Sequence, residues 1–343
     1  MPSIGIKLEK SGKVVLALLV LLLVCLVAGI SATIGWRPFI GPKARPLISR
    51  KFESTPARVE RGRYLFSAAN CAGCHSERDP TQHGAPVVSG TEGGGRILPD
   101  DFRGPAVAPN ITPDRETGAG NWSDDQLARA IREGVGHDGR ALSSRMPYVY
   151  YRKMSDEDLA SVVVYLRSLA PIHRAMPKTD MVFPLKYMMR SVPQPITDVV
   201  SGPDPSDQIQ RGAYLVNLGH CSACHTPRDR GQPTMVSMEF SGGTTFREWN
   251  LSAASANITP DPSGISYYDE SLFIRALRSG FVGARKLSAV MPFAQFRNIN
   301  DDDLRAMLAY LRTVPPVHHR VDNSLPPTYC KRCRLEHGGG DQN

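Results

Sequence analysis

The chain repeats itself after about 150 residues, and this internal repeat limits its possible folds more than any other feature of the sequence. The matching segments are 61–65 with 211–215, 110–114 with 257–261, and 146–147 with 291–292. The offset drifts only from 150 to 145 along the chain. Solenoid repeats are far shorter than this, so the pattern predicts two copies of one domain.

Each copy carries the motif Cys-x-x-Cys-His, at Cys71, Cys74 and His75 and again at Cys221, Cys224 and His225. This motif is the attachment signature of c-type haem, because two cysteines on a tight turn bond the vinyl groups of one porphyrin and the adjacent histidine binds its iron. The alternatives are a redox-active thiol pair and half of a zinc site. Zinc needs a second ligand pair nearby, but 147 residues separate the motifs. The sequence therefore predicts two covalently bound c-type haems.

Two methionines are the predicted sixth ligands of the irons. Met146 and Met291 both recur in the repeat, both precede a proline, and both fall between two predicted helices, about 70 residues after their histidine. Core packing is the alternative interpretation. Ligation by histidine and methionine fills both coordination positions and favours electron carriage over catalysis at the iron.

The other histidines are not predicted to bind iron. A partner in the repeat is missing for His83, His137, His173 and His220. His318 and His319 follow the last predicted helix and are interpreted as part of the tail.

Three further residues are candidate contacts of the haem propionates. Asn110 and Asn257 open the repeated Asn-Ile-Thr-Pro-Asp segment, and Trp122 lies shortly after the first of them. The alternative is that each asparagine only fixes a turn.

Each copy is predicted to contain three principal helices, at 56–69, 123–133 and 155–168 and again at 206–219, 269–279 and 300–312. Ser123 with Gln126 has the spacing of a capping box, and Ser155 and Asn300 are candidate N-caps. Gly62 and Gly212 lie inside helices, where glycine costs stability. We expect them to permit a close helix crossing, unless they are simply tolerated. About 35 residues rich in Gly and Pro follow each haem motif and predict an irregular wrap around a ligand.

The N-terminal segment has the length and composition of a membrane-spanning helix. Residues 14–36 contain no charge and are nearly all apolar, enough to cross the hydrocarbon core of a bilayer. We favour an uncleaved anchor over a removed signal peptide.

Outside this segment the apolar share falls from 41% to roughly 38%. That is little for two well-filled cores, unless something besides side chains fills them.

The net charge of +8 is unevenly distributed. Residues 1–56 carry +6 and residues 330–343 carry +1, so the body between them is close to neutral. A nucleic-acid partner is disfavoured. The basic, proline-bearing segment 37–55 is expected to hold the first domain off the membrane and to meet anionic lipid headgroups.

These motifs in combination resemble the multihaem cytochrome c subunits of membrane-bound bacterial dehydrogenases for alcohols, aldehydes and gluconate, over about residues 56–315. The resemblance implies an all-α chain of two tandem class I cytochrome c-like domains with long irregular loops, plus one N-terminal transmembrane helix. It implies an electron-transfer subunit without a substrate site of its own, serving a flavin, quinoprotein or molybdenum catalytic subunit and passing electrons to quinone, a cytochrome or an oxidase. It also implies an N-terminus in the cytoplasm and haem domains in the periplasm, on the bacterial inner membrane.

The predicted boundaries are a signal anchor at 1–36, a tether at 37–55, a first cytochrome c domain at 56–170, a linker at 171–205, a second domain at 206–315 and a tail at 316–343. The linker either joins the domains freely or wraps one of them. Two rival functions are a dihaem subunit of a cbb-type haem-copper oxidase and a dihaem cytochrome c peroxidase. A haem-based sensor is a third, which would need an open iron site.

A third Cys-x-x-Cys pair near the C-terminus departs from the family pattern. Cys330 and Cys333 are followed by Arg334 rather than histidine, and ten residues remain after Cys333, too few to enclose a haem. We expect a local disulfide. The alternatives are a reactive dithiol or, with His337, at most three metal ligands.

Overall fold

Residues 56–168 and 208–311 contain the same order of helices in the computed structural model, which describes residues 4–101, 104–228, 235–249 and 251–338. The ends of the predicted anchor and tail, 1–3 and 339–343, lie outside the described residues. The first half comprises α1 (Ile4–Ala32), α2 (Arg37–Ile40), α3 (Pro56–Ala68), α4 (Cys71–His75), β1 (Arg96–Asp101), β2 (Gly104–Ala108), α5 (Asp124–Glu133), α6 (Tyr148–Tyr151) and α7 (Asp156–Ser168).

A connecting segment with the short helix α8 (Leu185–Met188) leads to the second half. That half comprises α9 (Gln208–Leu218), α10 (Cys221–His225), β3 (Thr245–Glu248), β4 (Leu251–Ala254), α11 (Glu270–Ser279), β5 (Phe281–Val282), β6 (Arg285–Lys286), α12 (Phe293–Phe296), α13 (Asp301–Leu311), β7 (Thr328–Tyr329) and β8 (Glu336–His337).

The wrap after each haem motif is less irregular than predicted. It contains an antiparallel hairpin in each half, β1 with β2 in register Arg96↔Ala108 and β3 with β4 in register Thr245↔Ala254. The expected all-α class therefore needs correction, because the fold is mostly helical but includes short two-stranded sheets. Strand pairing satisfies backbone polar groups that an irregular loop would leave to solvent.

The six principal helices lie within one or two residues of their predicted bounds. Their first turns are capped as the sequence indicates: Ser123 and Gln126 form a reciprocal capping box, and Ser155 accepts a hydrogen bond from the backbone N–H of Asp158. Asn300 caps α13 in the same way. The predicted capping residues are confirmed.

The two helical glycines occupy close crossings, Gly62 between α3 and α7 and Gly212 between α9 and α13. A Cβ added at Gly62 would lie 2.1 Å from the backbone oxygen of Ser161, and one at Gly212 would lie 1.9 Å from that of Ala306. No side chain fits at these distances. The expectation of a close crossing, rather than a tolerated glycine, is confirmed.

The halves share one hydrophobic core and contact each other reciprocally. Leu65, Leu166, Leu215 and Leu308 belong to the same buried cluster. The Ser67 hydroxyl of the first half donates to the backbone oxygen of Gln295, 3.1 Å away. At the equivalent positions, the Asn217 amide of the second half donates to the backbone oxygen of Tyr150, 2.8 Å away. The halves are thus related as the partners of a two-fold dimer are.

The predicted tether is docked on the first half rather than free. The guanidinium of Arg45 lies 2.8 Å from the carboxylate of Asp125 and 2.9 Å from that of Glu133, and both acids are almost fully buried. The backbone N–H of Ile48 also donates to Asp125, and that of Phe52 donates to Asp124. The charge of Arg45 is therefore neutralised by acids of the first half, while contact of the segment with anionic headgroups stays a prediction.

The linker follows the surface of the first half, which is the second of the two predicted possibilities. The hydroxyl of Thr179 exchanges hydrogen bonds of 3.0 Å with the backbone of Val107 in β2. Near its end, the backbone oxygen of Val200 accepts from Asp156 at the start of α7. At the other end of the chain, the span Gly12–Ala32 of α1 has no buried residue and a mean hydropathy of 3.2, and it is long and apolar enough to cross a membrane.

Candidate haem sites

The two Cys-x-x-Cys-His motifs each form one short helix that begins after a left-handed residue. Asn70 has φ 55° and His220 has φ 43°, and these residues turn the chain sharply from the preceding helix into α4 and α10. In the first motif Gly73 lies against this turn, because a Cβ there would be 2.0 Å from Oδ1 of Asn70. Both cysteines and the histidine of each motif are held on one helical turn.

Each predicted proximal histidine is oriented by a backbone carbonyl. Nδ1 of His75 lies 2.8 Å from the oxygen of Pro109, and Nδ1 of His225 lies 2.7 Å from that of Ala256. A carbonyl only accepts, so Nδ1 carries the proton and Nε2 keeps its lone pair for a metal. Burial lowers the pKa of both imidazoles, which keeps them in the neutral form that binds iron.

The four motif cysteines lie in partly buried positions and form no disulfide with one another. Burial raises the pKa of Cys71 and of Cys221 to about 12, and it also raises the pKa of Cys74 and of Cys224. The burial that causes these shifts suits covalent attachment to an apolar group.

One cavity of about 1180 Å³ is lined by both motifs and both predicted methionines. Its wall includes apolar side chains of each half, such as Leu98, Ile131, Leu277 and Phe296. The low apolar content of the body fits this space, which a bound group would fill. The cysteines, histidine and methionine of each half that line it are the residues that would hold a haem.

The two Met-Pro loops have the same backbone geometry. The backbone N–H of Met146 donates a hydrogen bond of 3.0 Å to the backbone oxygen of Ser143. The backbone N–H of Met291 donates one of the same length to the backbone oxygen of Ser288. Each loop then enters a short helix, α6 or α12, directly after its proline. Both methionines are half-buried against the core and line the cavity. Ligation of iron by Met146 and Met291 stays a prediction that this placement supports.

The candidate propionate contacts are placed differently from one another. Asn110 is buried, and its amide donates to the backbone oxygen of Ile172 at 2.7 Å while its oxygen accepts from Thr112. Asn257 makes the same bonds to Val317 and Thr259. These are the hydrogen bonds of the turn-fixing alternative.

Trp122 lines the cavity and stacks on His137, with ring centroids 4.2 Å apart. Propionate contacts by all three residues stay predictions, and only Trp122 is without a competing side-chain bond in the described residues. His137 is exposed, as expected.

Two histidines are placed in ways that the repeat did not reveal. His173 has a counterpart after all, His318, because each contacts the equivalent aspartate, Asp114 or Asp261. His319 is 2% exposed and lies inside the second half, not in a free tail. The signal was present in Pro-Ile-His-Arg at 171–174 against Pro-Val-His-His at 316–319, beyond the last helix where the comparison of the repeats stopped.

His220 and a group of arginines also line the cavity. Burial lowers the pKa of His220 to about 4, and its ring lies 6.2 Å from that of Tyr150 in the other half. Sequence reasoning set this residue aside because Asn70 occupies its position in the first copy. The cavity arginines are Arg78, Arg96, Arg115, Arg140, Arg145, Arg228 and Arg285.

The fold and the site together define a haem protein of the c type. The cytochrome c family model matches residues 59–170 and 209–315, and the chain belongs to the cytochrome c family. Among curated relatives, it is 32% identical to the fructose dehydrogenase cytochrome subunit of Gluconobacter japonicus, over 77% of this chain and 55% of that protein. It is 31% identical to a dihaem cytochrome c-type protein of Cereibacter sphaeroides, over 78% of this chain and 89% of that protein.

A further relative is a nicotinate dehydrogenase subunit of Pseudomonas putida, 30% identical over 83% of this chain and 23% of that protein. The chain thus spans about a quarter to just over half the length of several relatives. The resemblance to cytochrome c subunits of dehydrogenases, inferred from the motifs, is confirmed.

Proposed function

We propose that this chain is a membrane-anchored dihaem cytochrome c that carries electrons from the catalytic subunit of a dehydrogenase towards quinone, a cytochrome or an oxidase. The observation that carries the proposal is the single cavity lined by two complete sets of cysteines, histidine and methionine. The relatives named as cytochrome subunits of fructose and gluconate dehydrogenases support the choice of partner. The proposed unit is two tandem cytochrome c domains, 56–170 and 206–315, joined by the linker 171–205.

When bound, the haems supply reversible one-electron chemistry. The chain contributes attachment through Cys71, Cys74, Cys221 and Cys224 and axial ligation through His75, Met146, His225 and Met291. With histidine and methionine bound, neither iron would keep an open position for a substrate, so the proposed chain would carry electrons without catalysis of its own. This distinguishes it from a peroxidase or a sensor.

The cavity arginines are proposed to offset the carboxylates of the haems. Arg78 is buried and its guanidinium lies 4.6 Å from the ring centroid of Trp249, while burial lowers its pKa to about 10. Arg96 lies 3.0 Å from the carboxylate of Glu248. Buried guanidinium groups are costly without anions nearby, and haem propionates would add such anions.

The proposed location is the bacterial inner membrane, with α1 crossing the bilayer, the N-terminus in the cytoplasm and the haem domains in the periplasm. The exposed apolar surface of α1 supports the anchor. Haem attachment on the periplasmic side supports the orientation, as the family resemblance implies.

Haem content and reactivity of the purified full-length protein test the proposal. We expect two covalent haems per chain in the wild type and one in each of the variants C71A/C74A and C221A/C224A. The reduced protein should neither bind carbon monoxide nor turn over peroxide. Membranes lacking the chain should lose quinone reduction with one dehydrogenase substrate and regain it on complementation. One haem in the wild type, or rapid peroxide turnover, would overturn the proposal.

A further inference from the structure

Four side chains outside the haem sites converge at the C-terminal end of the second half. They are His319, Cys330, Cys333 and His337, and one ligand atom from each lies within 4.8 Å of the other three. Sγ of Cys330 is 3.5 Å from Nε2 of His319. Both cysteines are separate thiols rather than the disulfide expected from the sequence. The expected maximum of three metal ligands is also wrong, because His319 supplies a fourth.

We propose that these four residues bind one zinc ion, which fastens the C-terminal segment to the second half of the chain. Two thiolates and two imidazoles are a ligand set that zinc favours, and four protein ligands leave no open position, as in structural rather than catalytic sites. Tetrahedral zinc with bonds of about 2.3 Å to sulfur and about 2.0 Å to nitrogen separates its ligand atoms by roughly 3.3–3.8 Å. The distance of 3.5 Å from Sγ of Cys330 to Nε2 of His319 falls in this range, and all four atoms lie within 4.8 Å of one another.

The two cysteines lie in the turn of a β-hairpin, where both side chains can bind one zinc ion. Strands β7 and β8 pair in register Thr328↔His337, and the chain between them closes with hydrogen bonds from Cys330 to Leu335 and from Arg334 to Cys330, both 2.8 Å. Arg334 has φ 58°, an uncommon conformation for a residue other than glycine. The hairpin thereby places His337 beside the thiols, although three residues separate it from Cys333.

His319 is held in the orientation that a metal ligand requires. Its Nδ1 lies 2.8 Å from the backbone oxygen of Ser241, so Nδ1 donates and Nε2 faces the thiols with its lone pair. Such a bond to the second nitrogen is the usual support of a metal-binding histidine. The ring lies so close to Gly243 that a Cβ there would be 2.7 Å from Cε1.

The second histidine has a buried nitrogen without a partner among the described residues. Nε2 of His337 is inaccessible to solvent and makes no hydrogen bond. Its ring is perpendicular to that of His319, with centroids 5.2 Å apart. A buried unsatisfied nitrogen destabilises a fold, whereas coordination to a metal would satisfy it.

The first half shows that the repeated fold does not itself require a histidine at position 319. Arg174 occupies the equivalent place in the first half. The side-chain amide of Asn110 lies 3.3 Å from the backbone oxygen of Arg174, and that of Asn257 lies 3.3 Å from the backbone oxygen of His319. The Arg174 guanidinium pairs with Glu77 at 2.6 Å. An ion pair thus secures this position in the first half, and the histidine–cysteine cluster replaces it in the second.

The cluster is connected to the attachment motif of the second haem site. The backbone oxygen of Ser241 accepts the hydrogen bond from His319. The next residue, Gly242, donates its backbone N–H to the backbone oxygen of His225 at a distance of 2.6 Å. Binding of zinc would therefore fix the segment that supports this histidine. The proposal does not depend on the number of haems or on the electron-transfer partner, because none of its ligands lines the haem cavity.

Elemental analysis of the untagged, full-length holoprotein tests the site, with zinc itself as the probe. We expect one zinc per chain after gel filtration through a weak chelator. The X-ray absorption spectrum at the zinc edge should give two sulfur neighbours at about 2.3 Å and two nitrogen neighbours at about 2.0–2.1 Å. The iron of the haems does not absorb at that edge.

Matched variants locate the ion. H319Q and C330S/C333S should lose more than nine-tenths of the zinc and keep their haem absorption, whereas H318Q should keep both. His318 is the neighbour of His319, but its side chain is 75% exposed. If the variants fail to fold, release of zinc from the wild type by a thiol-blocking mercurial, read with a metal indicator, replaces them.

Three results would overturn the proposal. The first is a wild-type mass lower by about 2 Da without bound metal, which shows a disulfide between Cys330 and Cys333. The second is full zinc content in C330S/C333S. The third is a stoichiometric metal other than zinc in protein produced with zinc available.

Discussion

The hydroxyl of Tyr214, in the second half of the chain, donates a hydrogen bond of 2.7 Å to the carboxylate of Asp158 in the first half. At the equivalent positions, Tyr64 of the first half donates to Asp303 of the second. Each aspartate is also paired with an arginine of its own half, Arg61 or Arg211. The same tyrosine–aspartate hydrogen bond therefore links the two halves at two equivalent positions.

Removal of this hydroxyl should weaken the interface. Tyr214→Phe leaves the ring in place but deprives Asp158 of a donor and the N–H of Ser155 of an acceptor. Hydrogen bonds to charged groups contribute about 1.5–3 kcal/mol, and we expect a loss of that size in the free energy of unfolding of the holoprotein. Chemical denaturation measures it. Tyr329→Phe, at a side chain that is 57% exposed, is the control, and equal stability of both variants would refute the prediction.

The helix crossings should not tolerate a methyl group. Gly212→Ala adds an atom where the backbone oxygen of Ala306 already lies, so α9 and α13 must separate. Overpacking of a core costs about 3 kcal/mol or more when neighbours cannot move, which outweighs the gain of about 1 kcal/mol in helix propensity. Thermal unfolding and the yield of haem-loaded protein report the effect. Gly202→Ala, where the nearest atom would be 3.8 Å away, should behave as the wild type does.

The docked tether depends on two acids with opposite behaviour. Burial alone would raise the pKa of the Asp125 carboxyl, but hydrogen bonds from Arg45 and Ile48 lower it below its usual value. Burial raises the pKa of Glu133 despite the nearby Arg45. We expect Asp125→Asn to release the tether and Glu133→Gln to keep it docked, because only Asp125 gains from its charge. Tryptic cleavage after Arg50 and Lys51 measures release, and equal cleavage rates in the two variants would contradict this.

The same acids set the pH dependence of docking. The stabilisation from Asp125 is fully present above the unfolded pKa of about 4 and is lost as the pH falls through its lower folded value. Protonation of Glu133 begins above its unfolded pKa of about 4.3 and relieves its burial without loss of stability. Cleavage by an acid-active protease should therefore remain slow down to about pH 4 and accelerate below it. Acceleration already between pH 5 and 7 would be incompatible with these directions.

Replacement of a predicted methionine ligand should lower one haem potential and not the other. In Met146→His or Met291→His, a second nitrogen ligand would replace sulfur, and nitrogen stabilises ferric iron relative to thioether. The expected fall is on the order of 0.1 V or more, within the roughly 0.8 V that axial ligands span. Spectroelectrochemical titration of the holoprotein measures both potentials. Met188→Leu, at an exposed side chain outside the cavity, is the control, and unchanged potentials in both histidine variants would remove these residues as ligands.

The features predicted well from the sequence are those that depend on neighbouring residues or that recur in both copies of the repeat. The caps at Ser123, Ser155 and Asn300 depend on residues three positions apart, and the crossings at Gly62 and Gly212 were inferred from a costly residue that recurs. The first kind of signal lies within one copy of the repeat and the second in the comparison of the two copies. The helices and their crossings could therefore be located from the sequence, whereas His220 and the arginines that line the cavity could not.

The features that sequence reasoning missed depend on distant parts of the chain or on a difference between the copies. Arg45 and Asp125 are 80 residues apart, and nothing near either residue indicates their pairing. His319 was overlooked because it follows the last helix, where the comparison of the repeats stopped, and its counterpart there is an arginine, Arg174. The strands of the hairpins in the wrap lack an alternating apolar pattern, so they gave no periodic signal.

The docked tether also determines how the proposed membrane-bound form meets its partners. A free chain of the 19 residues from 37 to 55 would let the first haem domain wander by roughly 25 Å from the end of α1. With Arg45 fixed on Asp125, and the guanidinium of Arg190 bonded to the oxygen of Pro38, that wandering is removed. The domain then keeps one height above the bilayer. The haem domain then meets a membrane-bound donor or acceptor by lateral diffusion of the whole protein in the membrane plane, and not by motion of a flexible tether.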